Sequence, residues 1–540
     1  MPTAYDLLIE NATLVDGTGA PGRLASVAVR DDTIVAVSAP GEQLPADGHQ
    51  PDRAGRVIDG NGLVLAPGFI DMHTHSDRTL LVEPAAESKV RQGVTTEVIG
   101  NCGMSPTPCE GAVLEEERPR FERWGVPITW RSMGEYLTVL ADRGVGINVV
   151  ALVGHGAVRK ATMGYAMRAP DAGELAAIRR HVAESMAGGA FGMSFGGIYP
   201  PSNYAATEEL IEASREVAAA GGFYACHMRN ERERLLEAVE ESIRIGRESG
   251  AAVEISHHKA SSPKVWGLVN ESLKSIEQAN ADGLDVTVDQ YPYRASSTNL
   301  NAMMPPWAHE GGLGALARRL DDPEQRARIL DDLRSDTPSG TGANLTPHDI
   351  LVASCRTDRS LDGKTIAEIA AERSADPYET ICDILLANAC DIGAIYFSMS
   401  EDDVRYVMRH PLMMVGSDST SMVIGGKSAE GKPHPRTYGT FVRILGQYVR
   451  DEGVLSLEEA IAKMTGRPAR KLGLTDRGTV EVGKKADLVL FSAERVRETS
   501  TFPDPHQYAE GVELVVLNGR VAVEHGVHTG TLAGRVLRRA

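Results

Sequence analysis

The sequence predicts an α/β fold in which a barrel of eight βα units is accompanied by a small β domain. Between residues 63 and 473, apolar strand-like runs alternate with amphipathic helical stretches, a pattern typical of parallel strands joined by helical crossovers. Short β-like runs broken by glycine, proline and aspartate occupy both ends of the chain. At 540 residues the chain is also too long for one small core.

The two ends of the chain predict two halves of one β-sandwich, residues 1–62 and 474–540. The N-terminal strand candidates are 6–10, 12–15, 25–29, 33–37 and 56–59, and the C-terminal candidates are 478–483, 486–491, 512–517 and 520–523. Asn518 and Gly519 separate the last two candidates as a two-residue hairpin turn. We expect the two halves to pair beside the barrel.

The barrel, residues 63–473, has eight strand candidates, and a polar residue with possible chemistry follows each of them. In chain order these residues are His73 with His75, Cys102, His155, Ser194, His227, His257, Tyr291 and Asp418. The first candidate is the apolar run 63–70. Because the active site of a TIM-type (β/α)8 barrel lies at the carboxyl ends of its strands, this coincidence predicts a single site there.

The step from Tyr291 to Asp418 is far longer than a βα loop requires. Within it, residues 303–345 contain a charged helical run, 316–333, and a Gly, Ser and Pro-containing segment, 335–342. We interpret 303–345 as an inserted subdomain whose hinge, 335–342, lets it act as a lid over the site. A surface insertion without a role in function is the equally weighted alternative.

Composition limits the partners and the location. The formal charge of −18 argues against nucleic acid and anionic membranes, because both require clustered Lys and Arg. Six cysteines show no disulfide framework, and we expect them to be reduced. No signal peptide or membrane-length apolar run is evident, so a cytoplasmic protein is expected. Oligomeric state stays open.

His73 and His75 follow the first strand. Because side chains alternate along a strand, both imidazoles point to the same side and can share a divalent cation. A bare HxH pair is more often solvated or satisfied in the core, and only the other strand ends favour a metal. Cys102, between flanking glycines, offers a thiolate, a strong zinc ligand, although a buried free cysteine is the commoner case.

The later strand ends complete the set of candidates. His227 closes a strand before a helix. Of His257 and His258 only one can point inward, and His257 is preferred because it ends the apolar run, which places Lys259 on its side. Asp418 can contact a metal and take a proton from water.

Two further residues, His155 and Arg436, are candidates for the rim of the site. His155 is expected to donate a hydrogen bond near the site. Arg436, in a proline-bounded segment after Asp418, carries a guanidinium suited to gripping a carboxylate, although a surface arginine is the more common role.

Several motifs resemble one family. They are residues 68–77, 93–106, 192–201, 227–231, 255–259 and 434–441. Together with the barrel between two β halves, they resemble the amidohydrolase superfamily, and within it the D-aminoacylase branch of N-acyl-D-amino-acid deacylases. The resemblance covers essentially the whole chain. One departure is the loop 419–433, which is longer than is typical of that branch and puts the substrate in doubt more than the chemistry.

The resemblance implies roles that spacing does not. Many amidohydrolases bridge two metals with a lysine after strand four, where this chain has Ser194; in the D-aminoacylase branch a cysteine after strand two does so, and Cys102 occupies that position. A tight Zn²⁺ is implied on Cys102, His227 and His257, and a weaker second metal on His73, His75 and Asp418. Asp418 is the implied general base and acid. The implied ligands of the substrate's carboxylate and acyl carbonyl are Lys259, Tyr291, Ser297 and Arg436.

The function implied by the resemblance is zinc-dependent hydrolysis of N-acyl-D-amino acids, small anionic linear amides, to a carboxylate and a free D-amino acid. A cyclic-amide hydrolase, such as a hydantoinase or dihydroorotase, is the alternative enzyme, and the missing strand-four lysine argues against it. A catalytically inactive scaffold is the third hypothesis. The presence of all six ligand candidates argues against it, because a scaffold requires none of them.

Overall fold

The computed structural model describes residues 5–38, 44, 54–335, 338–340 and 344–539. Within them, eight parallel strands form a sheet in sequential order, which confirms the predicted barrel. These strands are Phe69–Asp71, Val94–Ile99, Asn148–Gly154, Gly192–Gly196, Phe223–His227, Ala252–Ile255, Val286–Gln290 and Met413–Val415. Residues 336, 337, 341 and 342 of the predicted hinge lie outside the described residues.

The barrel closes at the carboxyl ends of its first and eighth strands. The Met72 N–H donates to Val415 O at 3.1 Å, and the Asp418 N–H donates to His73 O at 2.8 Å. These bonds bring the segment that contains His73 against the segment that contains Asp418, although the two lie at opposite ends of the barrel sequence.

A buried lysine ties the same two segments together. Lys89 Nζ donates to Asp71 Oδ2 at 2.9 Å, to Ser417 Oγ at 2.5 Å and to Ser419 Oγ at 2.6 Å. Lys89 and Asp71 are fully buried. Because a buried ammonium must be paired and hydrogen-bonded, this contact fixes the backbone on both sides of Asp418 relative to the first strand.

Helices surround the barrel, and their apolar faces pack on the strands. They span Glu87–Val90, Gly111–Trp124, Met133–Arg143, His155–Met163, Ala172–Ala187, Thr207–Ala219, Leu235–Ser249, Val269–Ala281, Glu401–Arg409, Arg436–Arg443, the π-helical Ile444–Asp451, Leu457–Met464 and Gly466–Leu472. No helix in the described part of the chain is long and apolar enough to cross a membrane.

The chain ends combine into a nine-stranded sheet, as expected. In spatial order it contains Val527–His528, Arg520–Glu524, Val512–Leu517, Leu488–Phe491, Val64–Pro67, Tyr5–Leu14, Arg23–Arg30 and Thr33–Val37, with Ala54–Asp59 paired to Tyr5–Leu14. The two-residue turn at Asn518 and Gly519 joins two of these strands, and both residues have positive φ, 46° and 78°.

Two sequence predictions about this sheet are wrong. The run 63–70 is not one strand, because Val64–Pro67 pairs in the nine-stranded sheet and Phe69–Asp71 pairs in the barrel. The chain crosses between the sheets at Gly68, where an added Cβ would lie 2.2 Å from Thr95 Oγ1. Residues 478–483 form turns and no strand, since Gly478 and Gly483 adopt φ of 89° and 91°.

The insertion forms its own hydrophobic cluster, which extends from Leu300 to Tyr396. It contains the strands Ser296–Asn299, Gly393–Tyr396 and Ile350–Ser354 and the helices Leu313–Asp321, Pro323–Arg334, Ile366–Arg373 and Pro377–Ala387. The predicted helical run 316–333 is thus two helices, because Pro323 starts the second. The predicted domain boundaries at 62, 303–345 and 473 stay predictions, although the packed cluster continues beyond 345.

We expect Lys89→Met to destabilise the protein strongly, because it leaves Asp71 buried without its cation. The free energy of unfolding should fall by about 3–5 kcal/mol, measured by urea unfolding followed by tryptophan fluorescence. Lys364→Met is the control, because the pair of Lys364 and Glu372, 2.8 Å apart, is partly exposed and should contribute under about 1 kcal/mol. Equal losses of unfolding free energy in both variants would contradict the proposed role of Lys89 in holding the two segments together.

Candidate active site

Cys102 lies at the centre of the predicted site. Its Sγ is 3.6 Å from His227 Nδ1, 3.5 Å from His257 Nε2 and 3.3 Å from His73 Nε2. All four residues are buried. In the first ligand set, Cys102, His227 and His257, the donor atoms lie within 4.8 Å of one another.

A second ligand set shares the same thiol. His75 Nε2 is 3.0 Å from Asp418 Oδ1, and His73 Nε2 is 3.6 Å from the same oxygen. The donor atoms of His73, His75, Cys102 and Asp418 also lie within 4.8 Å of one another. The structure therefore brings together all six ligand candidates, and His73 and His75 point to the same side as strand alternation requires.

Three of these residues have a left-handed backbone. Cys102, His257 and Asp418 have φ of 53°, 36° and 50°. Residues with a Cβ seldom adopt this region, and such strain persists where the surrounding structure fixes it, often at functional sites. The sharp turns swing these side chains off the strand ends and towards the barrel axis.

The turn that carries Cys102 is held by its neighbours. Gly100 has φ of 81°, and an added Cβ there would lie 2.0 Å from Leu152 O. Ser194 Oγ accepts from the Gly103 N–H at 2.9 Å and donates to Gly100 O at 2.5 Å. Ser194 lies in the middle of the fourth strand, Gly192–Gly196, and not at its end as the sequence predicted, and from there it supports the Cys102 turn.

Electrostatics favours the metal-binding form of both anionic donors. Burial alone raises the pKa of the Cys102 thiol, but the charge of His73 and hydrogen bonds from His227 and His257 hold that pKa well below its ordinary value. Burial likewise opposes ionisation of Asp418, yet Arg436 and His73 keep the pKa of that carboxyl well below its usual range. A thiolate, imidazoles and a carboxylate converging in one buried space fit zinc.

Two carboxylates that sequence analysis did not assign orient the histidines. Asp289 Oδ2 lies 3.1 Å from His73 Nδ1, and its Oδ1 accepts from the His257 N–H at 2.8 Å. Glu231 Oε1 lies 3.0 Å from His257 Nδ1. With Nδ1 of His73 donating to Asp289, its Nε2 is left free to bind a metal. Nδ1 of His257 lies 2.8 Å from Lys259 Nζ as well as 3.0 Å from Glu231 Oε1, so these two residues together hold the ring, whose Nε2 faces Cys102. The position of Asp289 near the end of the seventh strand is the sequence feature that could have identified it as a residue of the site.

The predicted substrate ligands surround the same space. Lys259 Nζ donates to Glu231 Oε1 at 2.5 Å, and the Tyr291 hydroxyl is buried and has no hydrogen-bond partner among the described residues. Ser297 Oγ donates to Ala394 O at 3.0 Å, which leaves its lone pairs available.

Arg436 contacts both Asp418, the candidate base, and the predicted substrate ligands. Its Nη1 lies 2.8 Å from Asp418 Oδ2, and its Nη2 donates to Ser297 O at 3.1 Å. Its guanidinium also lies 4.7 Å from the centre of the Tyr291 ring. Arg436 is therefore a buried residue of the site rather than a surface arginine.

The remaining histidine predictions have different outcomes. His258 Nε2 lies 2.8 Å from Ser272 Oγ on a surrounding helix, so it points away from the site as alternation predicted. His155 contacts none of the six ligand candidates, and its expected hydrogen bond near the site stays a prediction. Its two ring nitrogens bond Ser202 Oγ at 3.0 Å and Glu209 Oε1 at 3.1 Å, and a helix begins directly at His155.

An inner cavity adjoins the first ligand set. Barrel residues that line it include His227, His257, Lys259, Tyr291 and Asp418. The insertion contributes the opposite wall, which contains Ser296, Ser297, Thr298, Leu345 and Tyr396. Because the insertion forms part of the cavity, this geometry favours a role in substrate binding over a purely peripheral insertion.

Comparison with known proteins agrees with this geometry. The amidohydrolase family model matches residues 56–523. D-aminoacylase of Alcaligenes xylosoxydans xylosoxydans is 38% identical over 99% of this chain and 98% of that protein. N-acyl-D-glutamate deacylase of the same organism is 36% identical over 100% of this chain and 98% of that protein.

A solved structure is similarly close. N-acyl-D-glutamate deacylase of Bordetella bronchiseptica, complexed with zinc and a phosphonate inhibitor that mimics the tetrahedral intermediate, has a TM-score of 0.81 and 32% identity, covering 99% of each chain. Full-length similarity in sequence and in fold shows that the chain belongs to the amidohydrolase family.

Proposed function

We propose that this protein is a zinc-dependent hydrolase that cleaves the linear amide bond of N-acyl-D-amino acids, giving a carboxylate and a free D-amino acid. The convergence of Cys102 with two sets of metal-binding side chains, beside the carboxylate of Asp418, carries the proposal. The D-aminoacylase and N-acyl-D-glutamate deacylase relatives support the choice of substrate. A cytoplasmic location stays a prediction from the sequence.

The tighter zinc would be held by Cys102, His227 and His257. This set supplies a thiolate and two imidazoles, and a buried carboxylate fixes the orientation of His257. A weaker second metal would use His73, His75 and Asp418. A related D-aminoacylase structure, with 37% identity and a TM-score of 0.81, is described as having a binuclear centre with one-metal activation and second-metal attenuation, which supports this division.

Zinc supplies a Lewis acid that activates water and polarises the amide carbonyl. Asp418 acts as general base, taking the proton of the attacking water, and then returns this proton to the departing amine nitrogen. The unpartnered Tyr291 hydroxyl is available to donate to the carbonyl oxygen as negative charge develops on it.

The substrate's carboxylate would be gripped by Arg436 and Lys259, with Tyr291 and Ser297 beside them. Arg436 and Lys259 are buried and lie on either side of Tyr291, 4.7 and 6.0 Å from its ring centre. A planar guanidinium matches a carboxylate in geometry and charge. Two cations beside one tyrosine ring suffice to bind an anion, even in a chain with a formal charge of −18.

A substrate panel tests the proposed function. The zinc-loaded protein should release free amino acid from N-acetyl-D-amino acids, and N-acetyl-L-amino acids, hydantoins and dihydroorotate serve as comparison substrates. Amine release and ring opening are scored separately. Turnover of the cyclic amides alone would move the protein to the alternative, a cyclic-amide hydrolase.

The amount of bound zinc in two variants should distinguish the contributions of the two ligand sets. We expect Cys102→Ala to lose bound zinc almost completely, because both sets share this thiol, whereas a variant lacking the imidazoles of His73 and His75 should keep one zinc per chain. Zinc is measured by mass spectrometry after dialysis. Cys226→Ala is the control, since that buried thiol contacts Ser242 on a helix. Full zinc content in Cys102→Ala would refute the shared ligand.

Arg436→Ala should weaken the binding of free-acid substrates much more than that of their primary amides. Loss of a charged bidentate contact predicts an increase in KM of about tenfold or more for the acids. Arg436→Lys, which keeps the charge but loses the planar fork, should fall between wild type and Arg436→Ala. Because Arg436 also contacts Asp418, the deciding quantity is the acid-to-amide ratio, and an unchanged ratio would exclude a carboxylate grip.

A further inference from the structure

A second cavity, here called the outer cavity, opens from the other side of the metal-binding residues. It has a volume of about 390 Å³, and His75, Asp418 and Arg436 lie at its base. The end of helix Gly111–Trp124 and part of the loop 419–433 form its walls. The loop 419–433, for which the sequence predicts an influence on the substrate, therefore shapes this cavity.

The outer cavity is rich in cations. Its described lining residues include five cations and three anions, namely Arg120, Arg123, Arg356, Lys427 and Arg436 against Asp391, Asp418 and Glu430. Arg436 is paired with Asp418, and Arg356 forms ion pairs with Asp391 and Glu430. Two cations thus pair with all three anions, so three cations have no partner among the lining anions, and five cations against three anions leave an excess of two positive charges.

Two of the three cations without a lining partner, Lys427 and Arg123, flank Trp124. Lys427 Nζ donates to Trp124 O at 3.2 Å, and the guanidinium of Arg123 lies 5.5 Å from the centre of the Trp124 ring. Both side chains belong to exposed residues. In the described part of the chain, neither forms an ion pair, so both are available to an anion that enters the cavity.

The third of these cations, Arg120, contacts only one carboxylate among the described residues, and it shares that carboxylate with another arginine. Its Nη1 lies 3.4 Å from Glu117 Oε1. That carboxylate already accepts from Arg78 at 2.7 and 2.5 Å, through both of its oxygens. One carboxylate therefore faces two guanidinium groups, and the helix end retains a positive charge. This local excess contrasts with the net charge of −18 of the whole chain.

The direction of the substrate follows from the two cavities. Among their described lining residues, the inner and outer cavities share only Ser297 and Asp418. In a planar amide the acyl carbon and the nitrogen leave the carbonyl carbon in divergent directions. The proposed function holds the amino-acid half at Lys259 and Tyr291 in the inner cavity, with its carboxylate also against Arg436, which donates to Ser297 O at the boundary of the two cavities. In this orientation the acyl chain extends past His75 into the outer cavity.

We propose that the outer cavity binds an acyl group that ends in an anionic group, so that the preferred substrates are N-acyl-D-amino acids with a dicarboxylic acyl group such as succinyl. Arg123 and Lys427 are the specificity residues, and they attract the distal carboxylate of the acyl chain. This inference rests on the proposed amide hydrolysis.

The test compares N-succinyl-D-alanine with N-succinamoyl-D-alanine, in which a neutral amide of nearly the same shape replaces the distal carboxylate. In the zinc-loaded wild type, kcat/KM should be about tenfold higher for the succinyl compound at low ionic strength. This ratio should decrease as sodium chloride is added, because salt screens exposed charges.

The double variant R123Q/K427Q should bring the ratio close to one. R118Q is the matched control, since Arg118 is exposed on the same helix and is not among the lining residues; it should keep the wild-type ratio. An unchanged ratio in the double variant, or a wild-type ratio of one, overturns the inference.

Two further substrate comparisons separate the possible failures. If the charge preference and its loss in R123Q/K427Q appear between N-acetyl-D-glutamate and N-acetyl-D-glutamine instead, the cavity holds the side chain and the assignment to the acyl group is wrong. If N-acetyl-D-alanine is hydrolysed but the succinyl and succinamoyl compounds react equally, the proposed function stands and this inference fails. If no D-compound is hydrolysed, both fail.

Discussion

The Cys102 thiol is the one donor that both ligand sets share, and the surrounding structure is organised around its position. Three imidazole nitrogens lie 3.3–3.6 Å from its sulfur. A buried thiol in an apolar core would be protonated and inert, whereas here the neighbouring histidines favour the thiolate. The left-handed turn, Gly100 and Ser194 all serve to present this one sulfur atom to the barrel axis.

Two kinds of contact then make the arrangement rigid. Asp289 contacts Nδ1 of His73, and Glu231 and Lys259 contact Nδ1 of His257, so Nε2 of each ring faces Cys102. Lys89 and the backbone bonds between the first and eighth strands hold the Asp418 segment against the His73 segment. The proposed general base is therefore positioned by the closure of the barrel.

In the proposed function the barrel supplies the chemistry, and the appended segments select the substrate. Residues of the insertion form one wall of the inner cavity, and the loop 419–433 with helix Gly111–Trp124 forms the outer cavity. The first residue of this loop, Ser419, is bonded to Lys89 beside Asp418, whereas the later residues that line the outer cavity carry none of the candidate metal-binding side chains.

By itself the sequence indicated the eight barrel strands, although it merged the first with a strand of the nine-stranded sheet, and it located all six candidate metal-binding residues. It could do so because strand periodicity and the residue near each strand end are local properties. Tertiary structure alone decided the crossing at Gly68, the absence of a strand at 478–483, the hydrogen-bond partners of His155 and the contacts of Asp289 and Glu231. Each of these depends on a contact with a distant segment, such as Thr95 beside Gly68 or Glu209 beside His155. Local pattern carries no information about such partners, since they meet only when the barrel closes.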